Sequence, residues 1–302
     1  MDSYDCIVAG VGGAGSSALF HLAARGCKVL GLDRFTPGHD RGSSHGDTRI
    51  TRMAYFEHPD YVPLLKRAHH LWGQLEEARG EKLRYETGLL QAGPGAGFIV
   101  EGVLRSAREH SLEVEELRAA EAAGRFKGFA LDDSMEAVYE KGAGYLLVEN
   151  CVKAHAGEAL AQGAQLETGV NILRWREQGE GVVVETDRGS FQAANLVITP
   201  GAWAPDLLQT LGVSLEVRRK HLYWFRCPGE QYRDSSGFPS FVFETPGGFF
   251  YGFPCLDGKS IKVARHCGGQ QVADPLEICR ELEEDDLASV RDFLGSYLPG
   301  VE

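Results

Sequence analysis

The stretch Gly10-Val11-Gly12-Gly13-Ala14-Gly15 constrains this chain more than any other. It fits G-x-G-x-x-G and follows Cys6-Ile7-Val8, a short apolar run of the kind a buried parallel strand shows. The first glycine permits a tight turn, the second lets backbone approach a pyrophosphate, and the third lets a helix pack closely on the strands. A helix is predicted over 13–25, with Ala14, Ala18 and Leu22 as the stripe laid on a sheet and Gly26 as its stop. A second strand over 28–32 ends in Asp33, where an acid can bind the ribose hydroxyls of an adenosine. With 38 glycines in the chain a bare match carries little. The weight rests on the strand before it, the helix after it and the acid at the expected spacing. Together they predict a dinucleotide site in an α/β fold. The helix N-terminus contributes only ~1 kcal/mol toward a phosphate, so other parts of the fold must add affinity.

Composition narrows the function class. A chain of 302 residues is long enough for two domains, or one with a large insertion. The formal net charge of −12 argues against nucleic acid or an anionic membrane surface as a partner. No apolar run approaches the ~20 residues needed to span a bilayer. Asp2 and Asp5 stand where a basic leader would, so no signal peptide is expected and a cytoplasmic location is. Seven cysteines, at 6, 27, 151, 227, 255, 267 and 279, form no C-x-x-C pair and read as reduced thiols, mostly in the core. The ten histidines include no H-E-x-x-H, and adjacent His69-His70 point to different faces of a helix, so no metal site is expected.

After Asp33 the pattern departs from a nicotinamide-binding domain, which would continue into another helix and strand. Residues 34–55 are polar and glycine-bearing, and a loop this long is usually functional or disordered. Asp47 is expected to cap a helical turn that puts Arg49 and Arg52 on one face. Two guanidiniums so placed suit a carboxylate, a phosphate or an electron-rich ring, although two solvated surface arginines would look the same. An amphipathic helix over 61–77 should bury Leu64, Leu65, Ala68, Leu71, Trp72 and Leu75. Helices are also predicted over 98–110, 118–126 and 150–162, with strands near 89–90, 137–148 and 182–185. The strand over 196–199 ends at Pro200-Gly201, with a helix start over 202–211. This puts a second backbone turn at the sheet's carboxyl edge and favours FAD, whose extended body engages more than one loop. From 216 onward, aromatic and β-branched segments at 221–225, 241–244, 249–253 and 260–265 predict an antiparallel sheet and a second domain. Alternation places Lys262, Ala264 and, if the strand continues, His266 on one face, and Phe249, Tyr251 and Phe253 together on the neighbouring strand. Such a face could line a pocket or be an ordinary solvated one.

In its ordered motifs the sequence resembles the monomeric sarcosine oxidase and N-methyltryptophan oxidase family of flavoproteins. The motifs are VAGVGGAGSSALFHLAARG, then GSSHGDTRITRMAY at 42–55, then LVITPGAW, then FFYGFP followed by IKVARH. The resemblance covers essentially the whole chain. It implies an α/β fold in which a Rossmann-like FAD-binding domain (1–85 and 149–215) is interrupted by an antiparallel-sheet substrate domain (86–148 and 216–302). It implies FAD held by Gly10, Gly12, Gly13, Ala14, Gly15, Asp33, Arg34, Ser43, Ser44, Gly201 and Trp203. By the same analogy Arg52 would grip the substrate carboxylate with help from Tyr251, and Arg49 and His45 would lie near the isoalloxazine. Lys262 would activate oxygen, His266 would line the substrate cavity, and Glu57 would lie near the amine, unless it is a plain helix-entry acid. The implied reaction is oxidation of an N-methyl or other secondary amino acid by O2 in a monomer, with imine hydrolysis and release of hydrogen peroxide. In the family a cysteine tethers the flavin covalently and a further lysine binds the carboxylate, both in a C-terminal segment. This chain stops at Glu302 before that segment, with none of its cysteines in the matching motif, so a truncated copy or fragment is expected. Cys267 is expected to be a core or pocket-wall thiol. Two other readings stay open here: an NAD-dependent dehydrogenase sharing the 10–33 unit, and an inactive FAD-binding fragment.

Overall fold

A computed structural model describes residues 3–208, 211–227, 229–282 and 284–302. The chain opens as β1 (Ser3–Ala9), α1 (Gly13–Ala23) and β2 (Val29–Asp33). After a loop come β3 (Thr48–Thr51), α2 (Tyr61–Arg79), β4 (Arg84–Tyr85), β5 (Leu89–Pro94) and α3 (Phe98–His110). Then follow β6 (Glu115–Arg118), α4 (Ala119–Arg125), β7 (Met135–Glu140), β8 (Gly144–Leu147) and α5 (Val148–Ala161). Next are β9 (Gln165–Thr168), β10 (Ile172–Gln178), β11 (Gly181–Thr186), β12 (Gly189–Ile198) and the short α6 (Ala204–Leu208). The last elements are β13 (Tyr223–Arg226), β14 (Ser240–Thr245), β15 (Gly248–Phe253), β16 (Ser260–Arg265) and α7 (Glu284–Tyr297). Of the helix predicted over 202–211, positions 209 and 210 lie outside the described residues.

Two compact units form. The first comprises Met1–Asp47, Leu147–Arg219 and Gln271–Ile278; the second comprises Thr48–Leu146, Lys220–Gln270 and Cys279–Glu302. Residues 48–85, expected with the nucleotide-binding part, cluster with the second unit. The chain changes unit where β3 begins.

The first unit is built on a six-stranded sheet of order β10-β11-β12-β1-β2-β9. β12, β1, β2 and β9 run parallel, and β10 and β11 join as an antiparallel meander. β1 is covered on both faces. Cys6 and Val8 pack with Leu19, Ala23 and Ala159 on one side, and Ile7 with Leu30, Val170 and Val184 on the other. Burial from both sides is why the strand reads as a continuous apolar run. α1 lays Gly15, Ser16, Leu19 and Ala23 on the sheet, one position round from the predicted stripe. The third glycine of the fingerprint must face the strand turn, and that requirement sets the helix rotation.

The second unit centres on a seven-stranded sheet of order β13-β16-β15-β14-β5-β7-β6, antiparallel except for the parallel pair β14–β5. One face packs an aromatic core in which Phe250 stacks on Phe293 of α7 at 4.5 Å and Phe129 on Phe238 at 4.4 Å. On the other face, Leu89, Val138 and Val242 lie against Ile99, Val100 and Val103 of α3. A three-stranded sheet, β3-β8-β4, completes the unit. The predicted face of α2 is only partly covered: Leu75 is buried, Leu65, Ala68, Leu71 and Trp72 are half-buried, Leu64 is 67% exposed, and Val62 is buried as well. α2 is tied down partly through polar groups instead, since a His69 ring nitrogen lies 2.9 Å from Thr51 Oγ1. Among the described residues no helix is long and apolar enough to cross a membrane.

Candidate active site

In the first unit the end of β1, the start of α1, the end of β2, the loop over 34–47 and the turn after β12 surround a cleft of about 350 Å³. Every residue predicted to hold the cofactor except Gly15 lines it: Gly10, Gly12, Gly13, Ala14, Asp33, Arg34, Ser43, Ser44, Gly201 and Trp203. Gly15 sits behind the cleft wall, where a Cβ would overlap the Gly10 carbonyl oxygen. Gly10 adopts φ +93°, a left-handed conformation open to glycine. Asp33 closes the turn by accepting the Val11 N–H at 2.6 Å and the Phe35 N–H at 2.8 Å. Ser44 Oγ accepts the Gly13 N–H at 3.0 Å. The Arg34 guanidinium lies 5.3 Å from the Trp203 ring, and the buried Trp203 Nε1 has no hydrogen-bond partner in the structure. Thr199, not singled out from the sequence, donates from Oγ1 to the Gly10 carbonyl at 2.8 Å and so joins the second turn to the first. Its position directly before Pro200-Gly201 was the available signal.

These features fit an adenine dinucleotide. The turn leaves room where a side chain would stand, α1 carries no acidic residue in its first turn, and the first-turn N–H groups need outside acceptors. The cradle over Gly10–Gly13 suits a pyrophosphate, Asp33 suits ribose hydroxyls, and the Arg34–Trp203 wall suits a flat ring.

In the second unit one face of the large sheet gathers Lys262, Tyr251, Phe253 and Trp224: alternation predicted Tyr251 with Phe253 on one strand, and register brings Lys262 and Trp224 onto their face. Lys262, 4% exposed, donates from Nζ to the Thr48 carbonyl at 3.0 Å and to Thr48 Oγ1 at 3.1 Å. The ammonium lies 4.7 Å from the Phe253 ring and 5.7 Å from the Trp224 ring. The His266 N–H bonds the Phe249 carbonyl, which extends the strand run, and its ring stands 6.2 Å from that of Tyr251. Burial raises the Tyr251 pKa against an opposite pull from the Arg49 charge. Partial desolvation lowers the His266 pKa; Glu57 opposes this, and Lys220 and Arg52 add to it.

Arg49 and Arg52 do not share a helical face. Asp47 takes a left-handed φ of 67°, and Thr48–Thr51 is a strand, so the predicted capped turn does not form. Arg49 Nη1 donates to the Thr48 carbonyl at 2.7 Å. Arg52, 9% exposed, lies over the rings of Tyr55 (4.0 Å) and Phe56 (4.7 Å). Its Nη2 is 2.9 Å from Glu57 Oε2. Glu57 is therefore the internal partner of the guanidinium and not a bare helix-entry acid. His45 belongs to the first unit, beside Gly46, whose N–H donates to Glu149 at 2.6 Å. Cys267 is exposed, so the core or pocket-wall reading is corrected; it follows the end of β16, beyond the cover of the sheet.

A family model described as FAD dependent oxidoreductase (DAO) matches residues 5–302. The chain belongs to this family. The nicotinamide reading falls with that, and the dinucleotide of the first unit is FAD. Monomeric sarcosine oxidase of Streptomyces avermitilis is 40% identical over 98% of this chain and 78% of its own length. Monomeric sarcosine oxidase of an Arthrobacter strain is 37% identical over 98% and 77%. N-methyl-L-tryptophan oxidase of Yersinia pestis is 35% identical over 99% and 80%. Among solved structures, the open form of NikD, an unusual amino acid oxidase essential for nikkomycin biosynthesis, superposes with a TM-score of 0.83 at 26% identity, covering 100% of this chain and 79% of NikD. The glycine oxidase of Geobacillus kaustophilus shares the fold, with a TM-score of 0.78 at 21% identity over 99% of this chain and 79% of its own. The interrupted α/β architecture is thus that of DAO-type flavoenzymes.

Proposed function

We propose that this FAD-dependent oxidoreductase oxidises an N-methyl or other secondary α-amino acid with O2, acting as a monomer and releasing hydrogen peroxide. Arg52 carries this reading. A cation this buried lies against two aromatic rings and already engages a carboxylate, that of Glu57, at 2.9 Å. A substrate carboxylate offers the same chemistry and would take the place of Glu57, with a charge-assisted bond stronger than a neutral one. The Tyr251 hydroxyl, kept protonated by burial, is a donor from the neighbouring sheet face. His266, with its pKa lowered, presents a neutral imidazole to the substrate at neutral pH.

FAD, when bound, supplies the two-electron acceptor for the C–H bond beside the amine and passes the electrons to O2. Gly10, Gly12, Gly13, Ala14, Asp33, Arg34, Ser43, Ser44, Gly201 and Trp203 would hold it, with Gly15 behind them. The substrate amine must be neutral to lose a hydride equivalent, and the carboxylate grip orients the carbon that reacts. The buried Lys262 ammonium opposes the negative charge that builds on oxygen during its reduction. At ~4 Å and an effective dielectric of ~20 that attraction is ~4 kcal/mol, or about three decades in rate as a ceiling. The resulting imine hydrolyses in water.

The test is peroxide release by the purified protein with sarcosine, N-methyltryptophan, pipecolate and proline. Arg52→Ala should raise KM for the carboxylate substrate about ten- to a hundredfold and spare an amine that lacks the carboxylate. Equal losses for both amines would remove Arg52 from the carboxylate role. Absence of peroxide with every substrate would favour an inactive flavin-binding chain.

A further inference from the structure

The segment that bears both arginines is held at two points by two buried charges of opposite sign. Lys262 takes the Thr48 carbonyl and hydroxyl oxygens at one end. At the other, Glu140, also 4% exposed, accepts the Met53 N–H at Oε1 (2.7 Å) and the Ala54 N–H at Oε2 (3.0 Å).

Register places the two charges on one face of the seven-stranded sheet. Glu140 pairs with Leu89, and Gln91, two residues on, pairs with Val242. Val242 pairs with Tyr251, and Phe253, two residues on, pairs with Lys262. Glu140 on β7 and Lys262 on β16 are four strand spacings apart in the sheet order, ~19 Å at ~4.8 Å each. The six steps from Thr48 to Ala54 reach ~20 Å when extended. The segment is therefore long enough to bridge the two charges, with a cation taking a carbonyl at its start and an anion taking N–H groups at its end.

We propose that Glu140 is a positioning residue for substrate binding, fixing the two peptide groups that follow Arg52 and so the direction of its guanidinium. The proposal rests on Arg52 being the carboxylate site. β3 ends at Thr51, so no strand pairing orients Arg52 itself, and its buried Nε has no hydrogen-bond partner in the structure. The Glu140 carboxylate supplies both anchors just beyond it. Burial raises the pKa of Glu140, while the two N–H groups and the Arg52 charge work to keep it ionised. A buried acid in this setting costs more than an apolar residue of like size, which points to a specific task and not to general stability.

Glu140→Gln keeps the shape and one acceptor but sets an amide NH2 against a backbone N–H. On the holoenzyme, acetate affinity would be measured by calorimetry, and kcat and KM with sarcosine and with dimethylamine, which lacks the carboxylate. Expected are about tenfold weaker acetate binding and about tenfold higher KM for sarcosine, with kcat within about twofold and dimethylamine unaffected. In an Arg52→Ala background Glu140→Gln should add less than about twofold, because the two act as one unit. Equal losses for both amines, or a full tenfold loss on top of Arg52→Ala, would overturn the proposal. If Glu140→Gln fails to fold, Glu140→Asp enters the same cycle, with a several-fold acetate loss that again vanishes without Arg52; additivity there is equally decisive against it. An Arg52→Ala protein that binds acetate as well as wild type would instead refute the carboxylate reading and take this proposal with it.

Discussion

The first unit offers its ligand mostly backbone, and the second offers charged side chains. Around Gly10–Gly15 the useful groups are N–H donors at a helix start and the space left by absent side chains. In the second unit they are an ammonium and a carboxylate on the large sheet and two guanidiniums on the segment these two hold, engaged by carbonyls, N–H groups and rings. Backbone sites are altered chiefly by filling space, so their substitutions act like a switch. Side-chain sites respond by degrees to charge, length and polarity. The two units should therefore fail in different ways.

The sharpest contrast lies within the glycine turn. A Cβ at Gly15 would overlap the Gly10 carbonyl oxygen, which cannot retreat without undoing the turn, whereas at Gly12 it would meet only Ser44 Oγ, at 3.6 Å. Gly15→Ala should cost more than ~3 kcal/mol in folding stability and abolish flavin retention. Gly12→Ala should leave the melting temperature of the apoprotein within a few degrees of wild type while still losing most of the flavin, because the added methyl stands where the pyrophosphate approaches. Thermal melts of the stripped proteins beside visible absorbance separate the two. Matching melting temperatures for both variants would break the comparison on the first unit's side.

In the second unit Lys262→Met removes the charge and keeps the bulk. Its reaction with O2 should slow by up to about three decades, the ceiling for one cation at ~4 Å. Substrate oxidation under anaerobic conditions should slow far less. The loss is expected to be graded: Lys262→Arg should keep part of the oxygen reaction, since it retains the charge in altered shape. Stopped-flow traces of the two half-reactions test this, and equal slowing of both would end the oxygen role.

The same contrast explains what could be read from the chain. The glycine turn is local, so its strand, helix and acid were visible within 30 residues, and α3 and the alternating faces of β15 and β16 followed from periodicity. Glu140 and Thr48 were not visible, because Glu140 accepts from a backbone N–H 86 positions away and Thr48 from the Lys262 ammonium 214 positions away, and nothing in an acid or a threonine signals such a partner. Two errors arose where a local pattern had more than one outcome. The apolar periodicity of α2 says that a face exists, not how fully it is covered: Leu75 is buried and Leu64 stays exposed. Asp47 can cap a helix or enter the left-handed region; here it does the latter and starts a strand.

One side chain in the first unit tests whether its stability is as insensitive to charge as its cleft. His155 of α5 is buried beside Phe20 of α1, and desolvation, with His21 adding to it, pulls its pKa down to about 4 from 6.5. The unfolded chain takes up this proton before the folded one does. The stabilisation from keeping the imidazole neutral is therefore complete above about pH 6.5 and is lost as pH falls toward about 4. The difference corresponds to roughly 3 kcal/mol. Urea unfolding at pH 7.5 and 4.5 should show the loss in wild type, and His155→Leu should remove most of the difference. An unchanged slope in that variant would place the acid sensitivity elsewhere.

The smallest expected effect asks whether the second unit's face discriminates by shape as well as by charge. Phe98, 51% exposed, stands edge-on to Phe56 at 5.7 Å and stacks on Phe249 at 6.2 Å, and Phe56 in turn lies under the Arg52 guanidinium. An amino acid gripped at Arg52 would bring an apolar or aromatic side chain toward these rings, whereas sarcosine has none to offer. Phe98→Ala should therefore lower kcat/KM for an N-methyl amino acid with an aromatic side chain by about five- to tenfold, the ~1 kcal/mol typical of one aromatic pair. Sarcosine turnover should stay within about twofold. The ratio of the two kcat/KM values is the measurement, because it cancels any change in the fraction of active protein. A ratio that does not move would mean that this face selects by charge alone.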